Sequence, residues 1–143
     1  SPQVKALAGP NVVVTGTVPD VRPYLLHASA VVAPLRVARG IQNKILEAMA
    51  MQQPVGTVSS CADAIGATAA QGLSRADTAE EFVAALLELL QSPADRAALG
   101  ERARHYVEQE CSWQAPLKKI DHDLASTLAQ PVASASSTAT ATA

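Results

Sequence analysis

The residues whose types and spacing could do chemistry lie together, in the run Arg39-Gly40-Ile41-Gln42-Asn43-Lys44-Ile45-Leu46-Glu47-Ala48-Met49-Ala50-Met51. Gly40 permits a left-handed turn or a close backbone approach. Asn43 is a helix-capping type, so a helix is expected from there to about Met51. The unpaired N–H groups and positive dipole end of such a helix attract an anion. Glu47 sits one turn inside, among Ile45, Leu46, Ala48, Met49 and Ala50. A carboxylate on so apolar a helix needs a partner. Lys44, three residues earlier, is one; a vicinal diol such as a ribose, donating two hydrogen bonds, is another. On these residues alone the plainer reading carries more weight: a glycine turn, a buried helix and a Lys44–Glu47 pair on its exposed edge.

The remaining chemistry-bearing residues are scattered. His27 closes a helix, and His105 and His122 fall on polar faces, which argues against catalysis or metal binding. Cys61 and Cys111 form no CxxC and have no histidine at ligand spacing, so they read as two reduced thiols and no metal site is expected. Asp20 beside Pro19 reads as a helix cap, and no Ser, His and Asp form a nucleophile motif. Asp20, Asp63 and Asp77 do not follow strands as the acidic cluster of a phosphorylated receiver would. The net charge is −2 and no basic stripe is interleaved with aromatics, so nucleic acid is not an expected partner. Lys118-Lys119 reads as a solvated helix edge, with contact to anionic lipid as the weaker alternative. No run of apolar residues is long enough to span a membrane.

These residues need a scaffold, and the hydrophobic pattern supplies one. Apolar residues make up 48% of the 143 and aromatics only 3%, so the core must be Val, Leu, Ile and Ala, which suits parallel strands covered by helices. Strands are expected near 12–15, 31–34 and 54–58, with a short fourth near 72–74. Helices are expected from Pro19-Asp20 to Ala28, from Asn43, from the capping-box pair Thr78 and Glu81, from Ser92-Pro93, and from Ser112-Trp113. In the third of these, Phe82, Val83, Leu86, Leu87 and Leu90 are assigned to one face. In the fourth, Leu99, Ala103, Tyr106 and Val107 line one side; in the last, Leu117, Ile120, Leu124 and Leu128 recur. The stretch from Cys61 to Gly72 has no clear pattern. The Ala/Ser/Thr tail over 131–143 cannot build a core and is expected to be disordered. Strand and helix alternation predicts an α/β, Rossmann-like parallel sheet with helices on both faces. Ligands of such sheets bind beyond the carboxyl ends of the strands, which directs attention to Gly16-Thr17-Val18 and to the loop from Arg36 to Asn43.

The same segments resemble the C-terminal, donor-binding half of family 4 retaining glycosyltransferases with the GT-B fold. Leu46-Glu47-Ala48-Met49-Ala50 followed by Pro54-Val55 is similar to the family's donor-site signature. Val14-Thr15-Gly16-Thr17-Val18-Pro19-Asp20-Val21 with Tyr24-Leu25, and Ala28-Ser29-Ala30-Val31-Val32-Ala33-Pro34-Leu35, resemble the units before it. Gly40-Ile41-Gln42-Asn43-Lys44 is similar to a bacterial subgroup associated with exopolysaccharide assembly. The resemblance spans roughly residues 4 to 125.

The resemblance implies roles for particular residues. Glu47 would hold the donor ribose. The backbone of Gly40, Ile41 and Gln42, with the helix start at Asn43 and Lys44, would cradle the diphosphate. Gly16, Thr17 and Val18 would lie beside the nucleobase. The donor substrate would be a nucleotide diphosphate sugar, with no metal or other cofactor, and the acceptor a glycan or lipid-linked sugar. The location implied is cytoplasmic, with the inner face of the membrane as a place of peripheral association. Residues 1–130 would form the donor domain, lacking its first strand and the N-terminal acceptor domain. Three departures stand out. Arg39 occupies the place of the family's first Glu, eight positions before Glu47; a cation cannot accept hydrogen bonds from sugar hydroxyls, so it would meet a phosphate or an acidic sugar, or face solvent. Gln52 stands where Gly is usual. Gly56 stands where a β-branched residue is usual, which weakens a central strand. The family's catalytic Arg–Lys pair follows the first strand of this domain, which would precede Ser1, so no catalytic residue is assigned. A non-catalytic nucleotide-sugar module, or another doubly wound nucleotide-binding domain, is the alternative.

Overall fold

A computed structural model describes residues 1–35, 37–38, 40–112, 117, 120–121 and 124–126. Helix α1 covers Pro2–Lys5 and α2 covers Arg22–Leu26. Strand β1 (Val31–Ala33) precedes α3 (Asn43–Ala50), and β2 (Val55–Thr57) precedes α4 (Ser59–Ile65). A 3-10 turn at Ala69–Gln71 leads into β3 (Leu73–Arg75), followed by α5 (Ala79–Gln91) and α6 (Pro93–Glu110). The architecture is α/β. The strands form one parallel sheet in the order β1-β2-β3, with Val31, Val55 and Leu73 in register.

The central strand explains the layering. Successive residues of a strand face opposite sides. Val55 is fully buried in a core with Ile45 and Met49 of α3, Cys61 and Ile65 of α4, and Ala103 of α6. Gly56 turns to the other side, where the Phe82 ring of α5 lies over it. Helices therefore cover both faces. A Cβ on Gly56 would stand 3.6 Å from two Phe82 ring carbons and 3.5 Å from Val32 Cγ1, so the small residue lets the ring settle on the sheet. Thr57 is buried as well, and its hydroxyl donates to the Ala33 carbonyl, 3.2 Å away, tying β2 to β1.

Helix α6 approaches the backbone of its neighbours with no side chain between. A Cβ on Gly100 would meet the Gln52 carbonyl oxygen at 2.0 Å. Gly72, at φ +77°, would meet the Leu99 carbonyl at 2.7 Å. Gln52 itself has φ 60°, a left-handed conformation that favours glycine.

Several expectations are corrected. Residues 12–15 form no strand of the sheet: Val12 bonds back to Gly9 in an isolated antiparallel bridge, and Val13 is 84% exposed. A strand requires a neighbour for its N–H and C=O groups, and this β-branched run lies beside none of the three strands. Helix α3 is capped from Gln42, with Asn43 its first residue. The inward stripe of α5 is Phe82, Leu86 and Leu89, whereas Val83, Leu87 and Leu90 are exposed. The unpatterned stretch from Cys61 to Gly72 contains most of α4 and the 3-10 turn, the latter closed by a capping box of Thr68 and Gln71. The helices opening at Thr78 and Ser92 begin where expected, each with its side chain accepting a first-turn N–H. Beyond α6, Leu117, Ile120 and Leu124 are helical and exposed. Trp113, Lys118, Lys119, His122, Leu128 and the 131–143 tail lie outside the described residues.

Candidate functional site

The approach to α3 is built as a turn followed by a helix start. Gly40 has φ +66°, and the Gln42 amide donates to its carbonyl at 3.4 Å. Gln42 is extended (φ −102°, ψ 105°), and the helix begins at once, with Asn43 and Lys44 exposed in its first turn. Ile41 is also exposed. The Ile45 N–H bonds back to the Gln42 carbonyl at 2.9 Å, which leaves the Asn43 and Lys44 N–H groups, the first two of the helix, to point out of this start. Arg39, like Arg36, lies outside the described residues.

Glu47 projects from the exposed side of α3. Its carboxylate makes no hydrogen bond or ion pair with another described residue, so the expected Lys44–Glu47 pair is not formed. Instead it lines a hollow of about 440 Å³ between α2 and α3, walled by Pro19, Val21, Leu25 and Met51 with Asp20 and Arg22 at one side. The structure thus brings Glu47 opposite the residues that directly follow the Gly16-Thr17-Val18 turn. Gly16 makes that turn with φ +69°; Thr17 is exposed and Val18 half-buried, and none of the three lines the hollow.

The charges nearby are ordered. Contrary to the expected helix cap at Asp20, the N-cap of α2 is Val21, which has no side-chain cap bond; Asp20, one residue earlier, accepts from the Arg22 backbone N–H at 2.9 Å and receives the Arg22 guanidinium through both oxygens. Those bonds hold its carboxyl below the ordinary carboxylate value and raise the Arg22 guanidinium. The pair is exposed and screened by water.

Across the sheet's carboxyl edge, Asp77 does follow a strand, two residues after β3. Its carboxylate accepts from the Ser59 N–H at 2.9 Å and the Ser59 hydroxyl at 2.6 Å, so it caps α4 from a distant part of the chain. The Ser59 hydroxyl, then its N–H, lowers the Asp77 carboxyl below its ordinary value. No local pattern signals this contact, because the two residues are eighteen apart in sequence.

Among the described residues no three His, Cys, Asp or Glu side chains converge as a metal site. His27 caps the end of α2, and His105 stands on the exposed side of α6. Cys61 is buried and Cys111 half-buried, both unbonded; burial, then the nearby Glu110, raises the Cys111 thiol. No helix among the described residues is long and apolar enough to cross a membrane.

A parallel sheet covered on both faces, with a glycine turn and helix start beyond the carboxyl end of β1, is the layout of a Rossmann-like α/β domain. The model of the family described as "Glycosyl transferases group 1" matches residues 1–92, from α1 to the end of α5, and the chain belongs to that family. No curated protein and no solved structure matches the chain.

Proposed function

We propose that this chain is the donor-binding part of a retaining glycosyltransferase that moves a sugar from a nucleotide diphosphate sugar to a glycan or lipid-linked acceptor. The observation that carries the reading is Glu47: an unpartnered carboxylate at the edge of an apolar hollow, one turn into a helix whose start follows a left-handed glycine. In this reading Glu47 accepts from the two ribose hydroxyls. Gly40, Ile41, Gln42, Asn43 and Lys44 hold the diphosphate through helix N–H groups and one cation, with no metal. Gly16, Thr17 and Val18 border the base. The parent enzyme belongs with the family 4, exopolysaccharide-associated bacterial enzymes, works in the cytoplasm at or near the inner membrane face, and completes its site with an acceptor domain.

Calorimetry on Glu47→Ala tests this reading. Binding of a nucleoside diphosphate should weaken by about 1–3 kcal/mol, the scale of lost charge-assisted hydrogen bonds. Pyrophosphate, which has no ribose, should bind as before. Equal losses for both ligands would reduce Glu47 to a support of the helix. Arg39, in place of an acidic residue, favours a second reading: a module that binds nucleotide sugars without transferring them. In the parent enzyme, transfer gained by Arg39→Glu would support that reading, and transfer by the unaltered enzyme would exclude it.

A further inference from the structure

A second hollow, of about 500 Å³, opens between the 3-10 turn and the later half of α6, and it shares no lining residue with the one at Glu47. Gln71, Arg102, His105, Tyr106, Gln109 and Glu110 line it. The 3-10 turn leads into β3, so the hollow adjoins the amino end of that strand, whereas the Gly40 turn follows the carboxyl end of β1.

Arg102 sets the chemistry. Its Nε donates to the Ala70 carbonyl at 2.7 Å, and its two terminal amino groups have no partner among the described residues. Arg22, Arg75 and Arg104 are instead closed by carboxylates, those of Asp20, Asp63 and Glu108. A carbonyl is neutral, so it fixes the Arg102 guanidinium without cancelling its charge. A free arginine must give up side-chain entropy when it binds; this one is held beforehand. The edge left open is the fork that pairs with a carboxylate or phosphate through two parallel N–H bonds.

The neighbours of Arg102 add donors. The Gln71 side-chain oxygen accepts from the Thr68 N–H at 2.9 Å, which leaves its amino group without a partner among the described residues. His105, one turn further along α6, is exposed and carries a ring N–H in either tautomer. Glu110 is the one acid among the lining residues, and it stands just over two turns from Arg102, about 12 Å at 1.5 Å per residue. That exceeds the screening length of about 8 Å at physiological ionic strength. Tyr106 lies between them, half-buried, with its hydroxyl donating to the Ile65 carbonyl at 2.9 Å, so its ring is fixed as an apolar wall. A hollow of about 500 Å³ is far larger than an inorganic anion and matches a ligand with a carbon body.

We propose that this hollow is a second ligand site that binds an organic anion with a flat apolar body. The carboxylate or phosphate pairs with the open fork of Arg102 and the Gln71 amide, and the body lies along the Tyr106 ring. The site is separate from the one at Glu47, and the inference does not depend on the role given to Glu47.

The test uses the full chain labelled with nitrogen-15, with benzoate, phenyl phosphate, acetate and the neutral benzamide as probes. Benzoate or phenyl phosphate, titrated to about 20 mM, should give saturable shifts at the Gln71, Arg102, His105 and Tyr106 amides, in the weak range expected for one small anion. The tighter of the two identifies the anionic group. Arg102→Gln, which removes the charge at an exposed position, should weaken binding by about tenfold and leave the melting curve in place. Arg102→Lys keeps the charge but loses the fork, and should weaken binding by about threefold or more. Acetate should bind more weakly than benzoate, and benzamide should leave these amides unmoved. Absence of shifts with both aromatic anions, equal shifts with benzamide, or unchanged affinity in either Arg102 variant would overturn the proposal. The shifts should persist in Glu47→Ala; their loss there would merge the two sites and overturn it as well.

Discussion

Replacing Gly100 by alanine sets two known effects against each other, and the structure decides which wins. Gly100 lies inside α6, where glycine is ordinarily unfavourable; alanine should return about 0.8–1.0 kcal/mol of helix propensity. The added methyl, however, would stand 2.0 Å from the Gln52 carbonyl oxygen, where ordinary contact begins at 3.4 Å. The gap must therefore open by about 1.4 Å, and the obstructing atom is backbone, not the end of a flexible side chain. Gln52 is already left-handed, which leaves that turn little room to yield. Overpacking of this kind costs about 1–3 kcal/mol, and a backbone clash belongs at the upper end. The expected net effect is a destabilisation of about 2 kcal/mol, read as a lower urea midpoint with an unchanged slope. Ala97→Gly, at an exposed position of the same helix, serves as the control and should cost about 1 kcal/mol by propensity alone. If Gly100→Ala raised the midpoint by the propensity increment, α6 would not be docked on the α3–β2 turn through its backbone, and the packing described above would be refuted.

The remaining predictions concern caps, strain and charge. Thr78→Ala removes the hydroxyl that accepts the Glu81 N–H at the start of α5, and denaturant unfolding should show a loss of about 1 kcal/mol. Gln52→Gly relieves a left-handed residue worth about 1–2 kcal/mol and adds part of that in chain entropy, so thermal unfolding should show a modest net gain. Asp77 has a folded-state value below its ordinary 3.8, so its contribution is present above that value and is lost as pH falls through the lowered one. The difference in melting temperature between the parent chain and Asp77→Asn should accordingly shrink as the pH is taken below 3.8; a difference that stays constant would show that the charge on Asp77 is irrelevant to capping α4.

Much of the layering was legible because it depends on local pattern. Val31–Ala33 and Val55–Thr57 are short apolar runs bounded by proline, and Thr78 with Glu81 or Ser92 with Pro93 are self-contained helix starts. The failures share a cause: the deciding partner lies elsewhere in the chain. Val12-Val13-Val14 has the composition of a strand but no neighbour to pair with. Helix α4 has no capping side chain at its own N-cap, Val58, because Asp77 supplies the acceptor. On α5, Val83, Leu87 and Leu90 are as apolar as Phe82, Leu86 and Leu89; which stripe turns inward depends on the sheet it packs against, where Phe82 meets Gly56.

The position of Glu47 follows from the same arithmetic as the core. In an eight-residue helix with 3.6 residues per turn, Ile45, Ala48 and Met49 share one face, and all three are buried. Glu47 is then turned away from the core by the helical repeat itself. It needs no salt bridge to stay there, and it forms none with a described residue. The neighbouring α2 stands off, leaving space between Leu25 and Met51 instead of closing on the carboxylate. The side of α3 that anchors the helix and the side that presents the acid are therefore specified independently. Ile45 and Met49 fix where the helix lies on the sheet, and the Gly40 turn fixes where it begins. Substitution of Glu47 leaves both constraints in place, which is why a binding defect in Glu47→Ala can be read as lost contact with ligand and not as a displaced helix.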